Sequence, residues 1–600
     1  MNNKDRTNLI KRISEIEGLS DKERSALLGL LRESKTYGLV WEDKPEAVEE
    51  RLRDELPVLT EVKERAIISE DKDAPNHILI EGDNLEALTT LAYTHDGRID
   101  VIYIDPPYNT GNKDFVYNDS FVDKEDSYRH SKWLSFMSRR LKIAKQLLSD
   151  KGVIFISIDD NEQAQLKLLC DEVFGDLNRI GIIIWKKKTN GNNMGFIPPV
   201  HDYILAYAKN ITNLSALNFG YPITTEYLKK TYSNPDNDPR GPWTTTDLSA
   251  NHVGPYYPIT NPTTGKVHYP PKGRYWVFNE AETLKRIQEG RIIFGKTGTT
   301  NPVQKVFMKD RTFKRLTVES WWDKHGLNED GTADLNNIFE SPKKFIHPKP
   351  VITIANIIKI STSADSNILD FFAGSGTTLH ATMQLNADDG GHRQCILVTN
   401  NENGICENVT YERNKRVIQG YTTPKGEHVA GLMNNNLRYY RTGFISRNRS
   451  VQNMRRLVNL STDMLCIKED LYTEQSTFCG ERTYKGIFRY FDDEQKQMLV
   501  IYREEVIDRL VELIYGMDVK GKIKIYVFSP SEDPWEDSFE DVSDKVELCA
   551  LPAAIYNAYR RILPKKKDAV ALPEADAPVT NEKENQTDGM LNFTDEGDEA

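Results

Sequence analysis

From His77 onward short apolar runs alternate with helical stretches: HILIEGDNLEALTTL, IDVIYIDPPYN, WLSFMSRRLKIAKQLL and GVIFISIDD follow one another, and RIGIIIWKKK and HDYILAYAKN continue the series. Parallel strands need long crossover connections, usually helices, so this rhythm directs the chain towards βαβ units and a mostly parallel sheet. The rhythm breaks between about Asn218 and Glu340, where NPDNDPRGPW and GPYYPITNPTTGKVHYPPKGRYW are rich in proline, glycine and aromatic residues. It resumes with NIIKISTSADSNILDFFAGSGTTLHATMQLN and RQCILVTNNEN. An α/β domain interrupted by a turn-rich insert accounts for both halves.

The 600 residues divide accordingly. Residues 1–75 read as a helical N-terminal region, because Leu9, Ile10, Ile13 and Ile16, then Leu27, Leu28, Leu30 and Leu31, keep helical spacing around a capping box at Ser20–Glu23. Residues 76–217 and 341–440 are the two parts of the α/β domain, 218–340 the insert, 441–568 a C-terminal region of mixed signals, and 569–600 an acidic tail expected to be disordered. The charged start MNNKDRTNLIKRISEIEG is not a secretory signal, and no apolar run approaches the ~20 residues of a membrane helix, so a cytoplasmic protein is expected. Six scattered cysteines without a CxxC pair predict buried reduced thiols and no metal cluster. Net charge is -12, but nine acidic residues and one lysine between Ala571 and Ala600 carry -8 of it, leaving -4 on residues 1–570. A body so nearly neutral can carry a local basic groove for a polyanion.

Asp105-Pro106-Pro107-Tyr108 follows the strand IDVIYI directly. Ligands of open α/β sheets bind at the carboxyl ends of strands, so this tetrapeptide occupies a site position. An exocyclic amine is a poor nucleophile, its lone pair being delocalised into the ring. Asp105 and a main-chain carbonyl, that of Pro106, can hold its protons, while the prolines stiffen the loop and Tyr108 offers a face for a base rotated out of a duplex. An ordinary proline turn is the competing account of DPP alone. The neighbouring NTGNKDFVYND weighs against it.

Asp370-Phe371-Phe372-Ala373-Gly374-Ser375-Gly376-Thr377-Thr378 follows a second strand and opens a helix. Its glycines allow a tight turn and close approach to a ligand at a helix N-terminus. Glu402 ends the next strand 28 residues after Gly374, where a carboxylate can accept both ribose hydroxyls of a nucleoside cofactor. A structural glycine turn with an incidental glutamate is the alternative.

Together these motifs resemble the amino-methyltransferases, and their order, DPPY before FAGSGTT, is similar to the β-class permutation. ILIEGDNLEAL, YIDPPYNTGN, GVIFISIDDNE, FIHPKP and VTNNENGICENVTYERNKRV resemble the modification subunits of type III restriction systems, a likeness covering about residues 77–445. It implies a Rossmann-like class I methyltransferase domain, S-adenosyl-L-methionine as cofactor, and transfer to adenine N6 rather than cytosine N4, which SPPY tends to accompany. By resemblance Asp105, Pro106, Pro107 and Tyr108 bind the target adenine with Asn109 nearby. Asp370, Phe372, Ala373, Gly374, Gly376, Thr377 and Glu402 bind the cofactor, with Asp83 at its adenine ring and Lys349 at its methionine end; Asp83 could equally be a helix cap and Lys349 a surface charge. The implied partners are double-stranded DNA, a second copy of the chain and a separate helicase–nuclease subunit, the C-terminal region being a candidate contact for the dimer or the partner. Alternatives are a solitary or phage-type DNA adenine methyltransferase, an RNA methyltransferase, and a DNA-binding specificity module with an inactive fold. A cytosine-C5 enzyme would need a nucleophilic cysteine, and no Pro-Cys dipeptide is present.

Two features of the insert remain. Basic residues interleave with aromatics there, and Arg240, Trp243, Lys272 and Arg274 are candidates for DNA contact, with ordinary surface as the competing account. GRIIFGKT at 290–297 matches a phosphate-loop pattern but is rejected, because a helical segment precedes it and Arg291–Phe294 reads as a strand inside the pattern.

Overall fold

In the computed structural model residues 39–564 are described, except 113, 119, 192–195, 215–217, 296–297, 299, 312–314, 340–344 and 520. Among them ten strands share one sheet: β1 (Glu55–Glu61), β2 (Asn76–Glu81), β3 (Ile99–Ile104), β4 (Leu148–Ile158), β5 (Arg179–Lys186), β6 (His201–Ala208), β7 (Trp321–Trp322), β8 (Asn367–Asp370), β9 (Gln394–Thr399) and β10 (Asn436–Ser446). Their order is β1-β10-β2-β9-β8-β3-β4-β6-β5-β7. The run from β10 to β4 is parallel throughout, as the apolar rhythm predicts. Only β6 and β1 run against their neighbours.

Successive residues of a strand face opposite sides, and both sides are covered here. Ile78, Ile80, Ile102, Ile104 and Leu369 enter one core beneath α1 (Asn84–Thr94) and α2 (Arg129–Leu147). Leu79, Val101, Tyr103 and Ile368 enter the other, beneath α3 (Val351–Ser361) and α4 (Thr377–Asp389). Each such side chain contributes about 1.5–3 kcal/mol on burial, so near-continuous apolar strands lock the sheet between two helical layers.

Three boundaries differ from the sequence reading. Residues 1–38 lie outside the described part, and after the helix Ala47–Asp54 the expected helical region becomes β1, paired antiparallel with β10 from Glu55↔Ser446 to Glu61↔Tyr440. Leu56, Val58 and Leu59 are buried, and Pro57 is tolerated because β1 is an edge strand. The insert is narrower than 218–340: β7 pairs with β5, and the helix Asn328–Ile338 packs Leu335 and Ile338 onto the main domain. What remains holds a three-stranded antiparallel sheet of Trp243–Asp247, Val303–Phe307 and Ile292–Ile293, with a small core around Leu248, Ile259 and Trp276.

The C-terminal region is not a separate body. β10 runs to Ser446, and a second sheet of β11 (Glu474–Gln475), β12 (Phe488–Asp492), β13 (Gln497–Ile501), β14 (Ile523–Phe528) and β15 (Val546–Leu551) sends Phe491, Met498, Val500 and Phe528 into the core beneath α1 and α2. The opposite face forms a core of its own with Leu510 and Ile514. All six cysteines are free; four are buried as expected, but Cys479 is exposed and Cys549 half-buried. The acidic tail lies outside the described residues.

Candidate active site

Strands β3 and β8 are parallel neighbours, with Val101 opposite Ile368 and Ile102 opposite Leu369. The segments that follow them, Asp105–Tyr108 and Phe371–Gly376, therefore leave the same edge of the sheet side by side, about 4.8 Å apart at their roots. Between them and the end of β9 lies a cavity of about 650 Å³, lined by Asp83, Asp105, Pro106, Pro107, Phe372, Gly374 and Glu402, all singled out from the sequence. That volume lies within the usual range for small-molecule sites.

The proline loop is held from several sides. The Tyr108 hydroxyl donates to Asp105 Oδ1 at 2.9 Å, and the buried Trp133 indole donates to the Pro107 carbonyl at 2.7 Å. The Lys349 ammonium donates to Asp105 Oδ2 and lies 3.1 Å from the Tyr108 hydroxyl. Lys349 thus stands on the carboxylate of the proline loop rather than at a surface. Asn109, expected beside the base, is instead fully buried with φ +58°, its amide donating to Glu162 Oε1 at 2.5 Å and to the Arg129 carbonyl. It anchors the loop from behind. Glu162 also bonds His130 Nδ1 at 2.6 Å, and burial pushes its carboxyl up to about 8.

In the glycine turn Asp370 is buried and accepts from the Phe372 N–H at 3.0 Å and the Thr378 hydroxyl at 2.5 Å, burial raising its carboxyl to about 7. It shapes the turn and does not line the cavity. Ala373 is likewise buried, donating its N–H to the Val398 carbonyl. Gly374 and Gly376 have φ of +49° and +75°, conformations that favour glycine, and a Cβ on Gly374 would meet Phe345 at 3.1 Å. Thr377 is buried beneath the loop.

Sequence reasoning missed what holds this turn. The helical segment Cys406–Tyr411 continues into α5 (Glu412–Gln419), and one face of it grips the loop. The Thr410 hydroxyl donates to the Gly374 carbonyl at 2.6 Å. Arg413 donates to Ser375 Oγ at 3.1 Å and Thr377 Oγ1 at 2.7 Å, and Asn414 donates to the Gly376 carbonyl at 3.3 Å. Their i, i+3, i+4 spacing was the available signal. Also missed was Arg140, fully buried at the cavity, which donates to Glu46 at 2.9 Å and to Asn84 at 2.5 Å. Asp83 has both expected characters, since it lines the cavity and caps α1 by accepting from the Leu85 N–H at 2.7 Å.

In the insert, Arg240 forks onto Asp238 at 2.7 and 2.8 Å, Trp243 donates to Asp236 at 2.8 Å, and Arg274 bonds Asp247 at 3.2 Å and Ser249 Oγ at 3.0 Å. These three are committed to the insert's own structure, whereas Lys272 is exposed. Around the rejected phosphate-loop pattern, the helix Glu280–Gln288 precedes Gly290 and Ile292–Ile293 is a strand; Lys296 and Thr297 lie outside the described residues.

A mostly parallel sheet of this order, with a carboxylate–proline loop beside a glycine turn at one carboxyl edge, is a Rossmann-like class I methyltransferase domain. The chain belongs to the DNA methylase family N6_N4_Mtase, whose sequence profile matches residues 99–422. It is 37% identical to the type III restriction-modification enzyme StyLTI Mod subunit of Salmonella typhimurium over 56% of this chain and 54% of that one, so it spans about half the length of that relative. It is 31% identical to the EcoP15I Mod subunit of Escherichia coli, covering 68% and 70% of the two chains. Type II methyltransferase M.KpnI of Klebsiella pneumoniae is 34% identical over 60% of this chain and 88% of its own.

Proposed function

We propose that this chain transfers a methyl group from S-adenosyl-L-methionine to adenine N6 in double-stranded DNA, acting in the cytoplasm as the recognition and modification subunit of a type III restriction-modification system. The observation that carries the reading is that Asp105 and Pro106 face the same cavity as Phe372, Gly374 and Glu402. A nucleoside cofactor fits these residues: Glu402 presents a carboxylate to ribose hydroxyls, Gly374 leaves room that a side chain would fill, and Phe372 gives an apolar wall. When bound, S-adenosyl-L-methionine supplies a sulfonium methyl group as the electrophile. Asp105 and the Pro106 carbonyl hold the protons of the flipped adenine's amine, Tyr108 packs against the base, and Asp105 takes up the proton that N6 releases. Positioning and charge complementarity then carry the acceleration, without a covalent enzyme intermediate.

The part of the insert around the exposed Lys272 is assigned to target recognition, and the active form to a homodimer that joins a separate helicase–nuclease subunit. The names of the StyLTI and EcoP15I relatives support this partner. A second reading, a solitary modification enzyme, is favoured by the longer share of M.KpnI that is matched. Co-purification with the product of a neighbouring restriction gene separates the two. The activity itself is tested by methylation-sensitive long-read sequencing of DNA from cells expressing the chain. N6-methyladenine at one sequence motif, absent with Asp105→Ala, is expected; an unmodified genome, or the same marks with Asp105→Ala, would overturn the assignment.

A further inference from the structure

The ammonium of Lys349 stands where the target amine would have to stand. Asp105 has two carboxylate oxygens: Oδ1 accepts from Tyr108 at 2.9 Å, and Oδ2 accepts from Lys349. Lys349 Nζ also lies 3.1 Å from the Tyr108 hydroxyl and 5.2 Å from the centre of its ring, at the hydroxyl end of the side chain assigned to the base. Its backbone cannot retreat. Pro350 caps α3, the Val351 N–H donates to Asp334 at 3.0 Å, and Gly331 of the neighbouring helix packs so tightly that a Cβ there would meet the Pro348 carbonyl and, at 2.9 Å, the Lys349 carbonyl carbon. The side chain, by contrast, is long and unbranched, and a second carboxylate, Asp202, is near enough for its charge to act on it. Asp202 on β6 is buried and bonded to Lys187 at 2.6 Å; burial raises its carboxyl, against the pull of Lys187 and then Lys349.

Resting on the adenine methyltransferase reading above, we propose that Lys349 is a positioning residue that holds the amine's seat on Asp105 while no base is bound and yields it as the base arrives, swinging towards Asp202. Insertion of the base is then an exchange of one N–H donor for another. Oδ2 of Asp105 thus keeps a donor before and after the base arrives, while Tyr108 serves Oδ1 throughout. Because the arriving amine replaces an existing partner, the amine itself adds little to binding in the native protein.

The test compares duplexes carrying the motif found by sequencing, with either adenine or unsubstituted purine, which lacks the 6-amino group, at the target position. The readout is the ratio of their dissociation constants, measured with the full chain. Lys349→Met should raise the preference for adenine about tenfold or more over the wild-type ratio, Lys349→Arg should leave it near the wild-type ratio, and S-adenosyl-L-methionine affinity should stay within about twofold. Loss of a positive charge near DNA weakens both duplexes alike and cancels in the ratio. An unchanged ratio in Lys349→Met, or a tenfold loss of cofactor affinity, would overturn the proposal, the latter making Lys349 a cofactor ligand. Should Lys349→Met not hold its fold, Lys349→Ala carries the same expectation. Failure of the methyltransferase reading is distinguishable, because the wild-type chain would then leave the adenine duplex unmethylated.

Discussion

Replacing Thr410 by valine removes a single hydroxyl from behind the glycine turn while keeping the side chain's shape. That hydroxyl donates to the Gly374 carbonyl at 2.6 Å and is fully buried. The Gly374 carbonyl stands at the cavity wall, so losing its donor costs about 1–1.5 kcal/mol, the lower part of the range for an unsatisfied acceptor, and 1.4 kcal/mol corresponds to tenfold in an equilibrium constant. If the cofactor needs the turn in its present shape, most of that cost falls on binding, and titration calorimetry should show S-adenosyl-L-methionine affinity falling about tenfold. Turnover at saturating cofactor should stay within about twofold, the mark of lost uniform binding. Thr410→Ser, which keeps the hydroxyl, should bind nearly as the wild type does. A Thr410→Val chain that melts at a lower temperature yet binds cofactor with unchanged affinity would refute the reasoning and reduce the grip to a packing detail.

Other consequences follow from charge. Glu162 has its folded-state pKa raised by burial from about 4.5 to about 8, so the folded chain holds its proton more tightly than the unfolded one. Its contribution to stability is complete below the unfolded value and is lost as pH rises through about 8, so Glu162→Gln should flatten the decline in melting temperature between pH 5 and 8.5 relative to the wild type. In the insert, Arg240→Ala should lower the melting temperature, because it leaves the buried Asp238 short of a partner, while Lys272→Ala should leave stability within about 0.5 kcal/mol and reduce the salt dependence of DNA binding by about one counterion. Equal melting losses in the two variants would show that Lys272 has a structural role as well.

The catalytic half of the account was legible because it rests on local chemistry. Near-continuous apolar runs dictate parallel strands, and the two loops that line the cavity announce themselves by proline and glycine at strand ends. Side-chain direction was not legible. Nothing in FIHPKP says that Lys349 reaches Asp105, since the two lie 244 residues apart in sequence and meet only through the fold. Adjacency of Asn109 to Tyr108 in sequence is not adjacency to the cavity, because its positive φ turns it into the core against Glu162. Arg240 and Arg274 misled for a different reason: arginines in a basic, aromatic-rich segment pair as readily with local aspartates as with phosphates, and composition cannot tell which. Strand β1 escaped notice because its partner, β10, lies at the far end of the domain in sequence.

The central claim, that one cavity brings an electrophilic methyl group to an amine gripped by Asp105, is tested most directly by mass spectrometry of nucleosides from DNA incubated with the purified chain and methyl-labelled S-adenosyl-L-methionine. Label in N6-methyldeoxyadenosine, abolished by Asp105→Ala while cofactor binding persists, is the expected result. Label in N4-methyldeoxycytidine alone, or undiminished labelling with Asp105→Ala, would contradict it.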